Sequence, residues 1–210
     1  MVRTLCNGIS FLPARSTPLS SEVVVIHGKE QNWVFDVGNS MNYANVLDSS
    51  NRQYAVFLSH FHQDHIGNIE NLHNYKLLYC SKHTEKHLKS IEKYSIVEAT
   101  MYFQDDIYLS CYPIPSTHAK GCIGVTVNEE ISFLGDALYP GSANERPAYN
   151  VSRLYDLIDF LHGQKTSRIA ISHRLPDLVS KEKALSFLEK IYQKREKYSP
   201  LIFIENIDMG

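Results

Sequence analysis

Most of what would assign this chain of 210 residues to a specialised class is missing. Lys+Arg 21 stand against Asp+Glu 23, a formal net charge of -2, which argues against a dedicated basic surface for nucleic acid. No apolar run approaches the ~18 residues of a membrane span. Residues 1–16 carry scattered hydrophobics and lack the basic-then-apolar pattern of a secretory signal. The expectation is a cytoplasmic protein with no membrane partner. The four cysteines, Cys6, Cys80, Cys111 and Cys122, show no CxxC or framework spacing, so buried reduced thiols are expected rather than a disulfide scaffold. There is no low-complexity segment, no fixed-period repeat, no linker that would split the chain and no GxSxG. One domain over residues 1–210 follows from the length and the 43% hydrophobic content.

What is present is an alternation of strands and helices. Apolar runs bounded by Gly, Asn or polar clusters predict strands over 22–27, 33–37 and 54–59, with a short helix within 39–48. Ile66, Ile69 and Leu72 predict a helix over 66–73, a strand follows at 76–80, and Ser81 is placed to cap a helix reaching about residue 93. Strands are expected at 96–103, 107–113, 122–128 and 131–135, with a hairpin at Asn128-Glu129-Glu130. A helix over 151–162 ends at Gly163, a buried strand spans 168–172, a helix runs from Ser180 to about residue 197, and 201–204 is a last strand. Strand-rich segments interrupted by amphipathic helices predict a layered α+β sandwich of two sheets with helices on the outer faces.

Ten histidines are unevenly spread, and three of them fall in Ser59-His60-Phe61-His62-Gln63-Asp64-His65, directly after the apolar run YAVFLS. Buried imidazoles and carboxylates each need a partner, so this is a poor core and a good metal site. In an extended stretch His60 and His62 point to one side, and the turn that follows brings Asp64 and His65 nearby. Imidazole with carboxylate suits a borderline divalent ion such as Zn²⁺. His83 and His87, four apart, read as an exposed helix face.

The HxHxDH pattern after a buried strand resembles the first metal motif of the metallo-β-lactamase superfamily. Further landmarks lie in order: Trp33-Val34-Phe35-Asp36-Val37-Gly38 resembles the early strand ending in Asp-x-Gly. Pro115-Ser116-Thr117-His118-Ala119-Lys120-Gly121 resembles the turn carrying the third histidine. Gly135-Asp136 resembles the segment with the bridging carboxylate, and Ile169-Ala170-Ile171-Ser172-His173 the last histidine-bearing strand end. The likeness runs from Glu22 to His173. It implies an αββα sandwich, and two divalent ions per chain, Zn²⁺ first with Mn²⁺ or Fe²⁺ as alternatives. His60, His62 and His118 would hold one ion, Asp64, His65 and His173 the other, and Asp136 would bridge them. Asp36 would orient a ligand histidine or its loop. Ala119 and Arg174 depart from the superfamily pattern at positions that remove no ligand.

The resemblance further implies hydrolysis by a hydroxide held between two ions, with Asp64 orienting it as the catalytic carboxylate. Asp136 and the absence of an export signal argue against antibiotic hydrolysis. The intact His62 and the length of the chain argue against the redox members of the superfamily. Two hydrolase branches remain. The first cleaves a thioester or acyl ester in a small substrate, as the glyoxalase II-like members do. The alternative is a phosphodiesterase of the ribonuclease Z-like branch, acting on a nucleotide or nucleic acid. Few residues follow His173, no long exosite insertion is present, and the net charge does not favour a polyanion, so the small substrate is preferred. A reading from another class is a metal-bearing binding or regulatory protein with weak or lost catalysis. The Gly/Pro-containing stretch from Leu138 to Asn150 is expected to be a loop beside the metals, offering Arg146, Tyr139 and Tyr149 as substrate contacts.

Overall fold

The structure, a computed structural model, describes residues 1–50 and 52–205. Its first half contains β1 (Arg3–Cys6), β2 (Ile9–Leu12), β3 (Arg15–Ser16), β4 (Leu19–Ser20), β5 (Val23–His27), β6 (Asn32–Phe35), α1 (Met41–Asp48), β7 (Tyr54–Phe57), α2 (Gln63–Ile66), β8 (Tyr75–Cys80), α3 (Lys82–Glu85) and β9 (Tyr94–Ile96). These strands form a sheet in the order β1-β2-β5-β6-β7-β8-β9, antiparallel up to β6 and parallel beyond it, with β3 and β4 paired as a separate ribbon.

The second half contains β10 (Met101–Gln104), β11 (Tyr108–Ile114), β12 (Cys122–Val127), β13 (Ile131–Phe133), β14 (Gly141–Ala143), β15 (Arg146–Asn150), α4 (Val151–Gly163), β16 (Arg168–Ala170), β17 (Leu178–Ser180), α5 (Lys181–Gln193) and β18 (Leu201–Phe203). Its main sheet runs β10-β11-β12-β13-β16-β17, with β13 and β16 parallel, while β14, β15 and β18 form a small sheet of their own.

The order of layers follows from the pleat. Along β6 and β7 every residue is buried, as in strands covered on both faces. Trp33, Phe35, Ala55 and Phe57 face the second sheet and meet Leu109, Ile123, Val125 and Phe133. Val34 and Val56 turn the other way, onto Ala44, Leu47 and Ile66 of the helices. Phe57 has no solvent exposure and stacks 5.6 Å from Trp33 and 5.1 Å from Tyr79; burying such a ring is worth about 1.5–3 kcal/mol. On the far side α4 lays Leu154, Leu157, Ile158 and Leu161 against the second sheet, and α5 adds Ala184, Leu185, Leu188 and Ile191. Asn150 and Ser180 cap these helices by accepting from the amides of Arg153 and Lys183. Helix, sheet, sheet, helix is the predicted αββα sandwich.

Several local expectations are corrected. The helix over 66–73 is instead one turn of α2 followed by a 3₁₀ turn at Ile69–Asn71. The three-residue spacing of Ile66, Ile69 and Leu72 fits the tighter helix, which repeats every three residues. The helix after Ser81 stops at Glu85, although Ser81 does cap it by accepting from Thr84 N–H. The run 96–103 splits between β9 and β10, which belong to different sheets. The stretch from Leu138 to Asn150 is largely the β14–β15 hairpin, whose turn residues Asn144 and Glu145 take the positive φ that a tight hairpin demands. The strands β1, β2, β3, β4 and β17 lie outside the expected strand runs. Each cysteine lies on a strand as a free thiol, and among the described residues no helix is long and apolar enough to cross a membrane.

Candidate metal centre

The candidate ligands sit beyond strand ends at one rim of the sandwich. His60 and His62 follow β7, Asp64 and His65 lie on α2, and His118 is in the β11–β12 connection. Asp136 follows β13 and His173 follows β16. Because β6 and β7 are parallel, and β13 and β16 likewise, the loops after their carboxyl ends converge, the usual place for a site in such sheets. Gly135 permits the closest approach: its φ is +56, and a Cβ there would lie 2.6 Å from Ser59 Cβ.

Asp36 organises the centre from below. Fully buried, it accepts from Ser59 N–H at 2.7 Å, from Ser59 Oγ–H at 2.8 Å and from the His65 ring at 2.7 Å through Nδ1. With the Ser59 proton given to Asp36, Ser59 Oγ accepts from His60 Nδ1 at 3.0 Å. His118 Nδ1 donates to the Pro140 carbonyl at 3.0 Å. These partners occupy Nδ1 of each ring, so Nε2 of His60, His65 and His118 faces the centre, with a free lone pair whenever the ring is neutral.

Those lone pairs converge. His62 Nδ1 lies 2.9 Å from His60 Nε2 and 3.1 Å from His118 Nε2. Asp136 places Oδ2 3.3 Å from His118 Nε2, and Oδ1 3.4 Å from His65 Nε2 and 3.8 Å from His173 Nε2. Asp64 Oδ2 is 3.2 Å from His173 Nε2. Two groups result, each with ligand atoms within 4.8 Å of one another: His60, His62, His118 and Asp136, and then Asp64, His65, Asp136 and His173. Asp136 is common to both. His65 Nε2 and Asp136 Oδ1 are buried without a hydrogen-bond partner. Facing lone pairs and orphaned buried acceptors are costly in themselves and are the atoms a divalent cation would satisfy. The donor set fits the metal.

Electrostatics separate the two groups. Burial, followed by the neighbouring imidazoles, pushes His60 and His62 below the ordinary histidine range. Burial also opposes charge on His65, but the Asp36 carboxylate and the Asp136 side chain outweigh it and raise His65. His173 is raised against burial by Asp64 and Asp136. Asp64, despite its own burial, is held at about 2 by the His173 hydrogen bond and the His65 charge. Asp136 is likewise lowered against burial by His65 and the other rings.

Two supporting residues escaped the sequence reading. Ser59 relays Asp36 to His60. Glu22, buried between β4 and β5, accepts from the backbone amides of His173 and Leu175 at 2.7 and 3.0 Å. Nothing local in the sequence marks it, since its partners are backbone groups at the opposite end of the chain.

The ligands open into a cavity of about 750 Å³, walled also by Leu19, Tyr139, Pro140, Glu145 and Pro147. Of the three expected substrate contacts, Tyr139 faces this cavity and donates to the Ser172 carbonyl at 3.0 Å. Tyr149 does not: it is fully buried on β15 and donates to the Leu138 carbonyl at 2.9 Å. Arg146 does not line the cavity either, because its guanidinium lies 4.5 Å over the Phe203 ring. His83 and His87 flank Phe61, which stacks on His87 at 4.4 Å.

Comparison with solved structures agrees with this architecture. An archaeal metallo-β-lactamase superfamily protein from Sulfolobus tokodaii superposes with a TM-score of 0.64 at 18% identity, over 98% of this chain and 91% of its own. The metallo-β-lactamase FIM-1 from Pseudomonas aeruginosa, in its mono-zinc form, gives 0.63 at 12% identity over 92% and 95%. The chemotaxis sensor ODP, as a peroxy diiron species, gives 0.67 at 13% identity over 90% and 94%. No protein-family model matches the chain, and no curated protein matches it in sequence. The chain thus has the metallo-β-lactamase fold. On it the chain carries histidine and aspartate clusters suited to metal.

Proposed function

We propose that the chain is a dinuclear metal-dependent hydrolase that cleaves a thioester or acyl ester in a small substrate, working as a single domain in the cytoplasm. The observation that carries the reading is the pair of ligand clusters meeting at Asp136 on the floor of the cavity. His60, His62, His118 and Asp136 would hold one ion, and Asp64, His65, Asp136 and His173 the other, with Zn²⁺ favoured by the nitrogen and oxygen donors. When bound, such a pair of ions activates water at neutral pH and polarises a carbonyl oxygen.

The chain's own contribution is orientation. A carboxylate held at about 2 is a weak base, so Asp64 aligns the attacking water by accepting a hydrogen bond rather than storing its proton. The Asp36–Ser59–His60 and Asp36–His65 bonds keep the rings from turning when substrate enters. Tyr139 and Pro140 wall the cavity above His118 and leave room for a compact acyl group.

The preference for an acyl ester over a phosphodiester is supported by the cavity lining: among the described residues that form it, none is lysine or arginine. Binding of a polyanion calls for such groups. The test is turnover of a thioester and a phosphodiester reporter by the zinc-repleted protein. Thioester cleavage with little phosphodiester cleavage is expected. Phosphodiester cleavage alone would move the chain to the nuclease-like branch, and inactivity toward both with less than one ion per chain would overturn the hydrolase reading.

A further inference from the structure

Residues 20–22 pass from the β3–β4 ribbon into β5 and touch three loops around the centre. Ser20 Oγ accepts from Asn39 N–H at 2.8 Å, just beyond the turn that carries Asp36. Ser21 N–H donates to the Asp64 carbonyl at 2.9 Å. Glu22, 4% exposed, accepts from His173 N–H at 2.7 Å and from Leu175 N–H at 3.0 Å, one bond to each carboxylate oxygen. Asp64 is carried by the first half of the sandwich and His173 by the second. One short segment therefore ties together two members of the same cluster across the two halves.

The His173 end needs such a tie. Its backbone has φ 67, in the left-handed region, where a residue with a side chain stays only if its surroundings hold it. A buried carboxylate is an expensive way to hold a loop unless both oxygens are used, and here both are. None of the bonds made by Ser20, Ser21 or Glu22 reaches His60, His62 or His118.

We propose that Glu22 is a positioning residue that sets the metal affinity of the Asp64–His65–Asp136–His173 cluster and leaves that of His60–His62–His118 unchanged. The inference rests on the metal reading proposed above and adds that the two subsites are tuned separately. Glu22 touches no ligand side chain: it acts through the amide of His173, and so through the placement of that ring's Nε2 against Asp64.

The experiment is calorimetric titration of the metal-free protein with Zn²⁺, for the wild type, E22A, E22Q and H173A. Two binding events are expected in the wild type, and H173A identifies the one that belongs to the second cluster. E22A weakens that same event by about 10- to 100-fold, the usual size of an effect transmitted through a ligand's support, and leaves the other in place. E22Q keeps the volume and one accepting oxygen, so its loss is smaller; it carries the test alone if E22A does not fold. Equal weakening of both events, or no change in either, overturns the role of Glu22 and leaves the metal reading intact. A wild-type protein that takes up no Zn²⁺ overturns both.

Discussion

The two ligand clusters share Asp136 and differ in almost everything else. Around His60, His62 and His118 the supports are neutral: Ser59 aims His60, and the Pro140 carbonyl aims His118. Around Asp64, His65 and His173 they are buried carboxylates, Asp36 on the His65 ring and Glu22 on the His173 backbone. Without metal, His60 and His62 of the first group lie below the ordinary histidine pKa, while His65 and His173 of the second lie above it. His60 and His62 are thus held neutral, the form a metal requires. The second group must give up protons before it can be loaded.

The widest break in that comparison should come from Asp136, the ligand both clusters use. D136A should lower metal content at both subsites and reduce turnover by more than about 100-fold, whereas H62A should empty the first cluster and spare the second. Elemental analysis of the two variants beside reporter turnover checks this, and equal metal content in both would remove Asp136 from its shared role.

Next in size is Asp36, which serves both sides through Ser59 and His65. D36N keeps the shape but cannot accept all three bonds, so a buried donor is left unpaired at a cost of about 1–3 kcal/mol. Urea denaturation of the metal-free protein should show that loss, and a variant as stable as the wild type would mean that Asp36 is not the anchor.

The smallest and most selective effect is on the pH dependence of metal-free stability. His60 and His62 have lowered folded pKa values, so the unfolded chain binds more protons below 6.5. Their contribution therefore rises with pH and is complete above 6.5. His65 and His173 are raised, so theirs is complete below 6.5 and is lost as pH climbs through their folded values. Asp64, held at about 2, and Asp136, also lowered, add stability that is present above 3.8 and is lost as pH falls through their folded values. H173A should flatten the alkaline limb and H60A the acid limb; thermal melts across pH that show both variants altering the same limb would contradict the division.

What was legible in the sequence follows the same line. The HxHxDH run is visible because it needs particular residue types close together after an apolar strand, whereas Asp36, His118, Asp136 and His173 are legible only through the resemblance of the segments that carry them. The support from Glu22 is invisible, since its partners are backbone amides at residues 173 and 175 that any residue type but proline supplies. Among secondary elements, α4 and α5 are plain from their apolar stripes, although α5 ends at Gln193, short of the expected residue 197, while α2 and α3 fall far shorter than expected. There, apolar spacing of three and a good cap on a charged run spoke for longer helices than tertiary contacts sustain. Arg146 and Tyr149 stand away from the cavity for a related reason: the stretch expected as a loop contains β15, where the pleat and pairing with β18 turn one onto Phe203 and the other into the core.

The most direct test of the account is anomalous diffraction from crystals of the zinc-loaded protein. It should show two ions about 3.5–4 Å apart, one among His60, His62 and His118, the other among Asp64, His65 and His173, with the Asp136 carboxylate between them. A single ion at full occupancy after zinc repletion, or density away from Asp136, would contradict it.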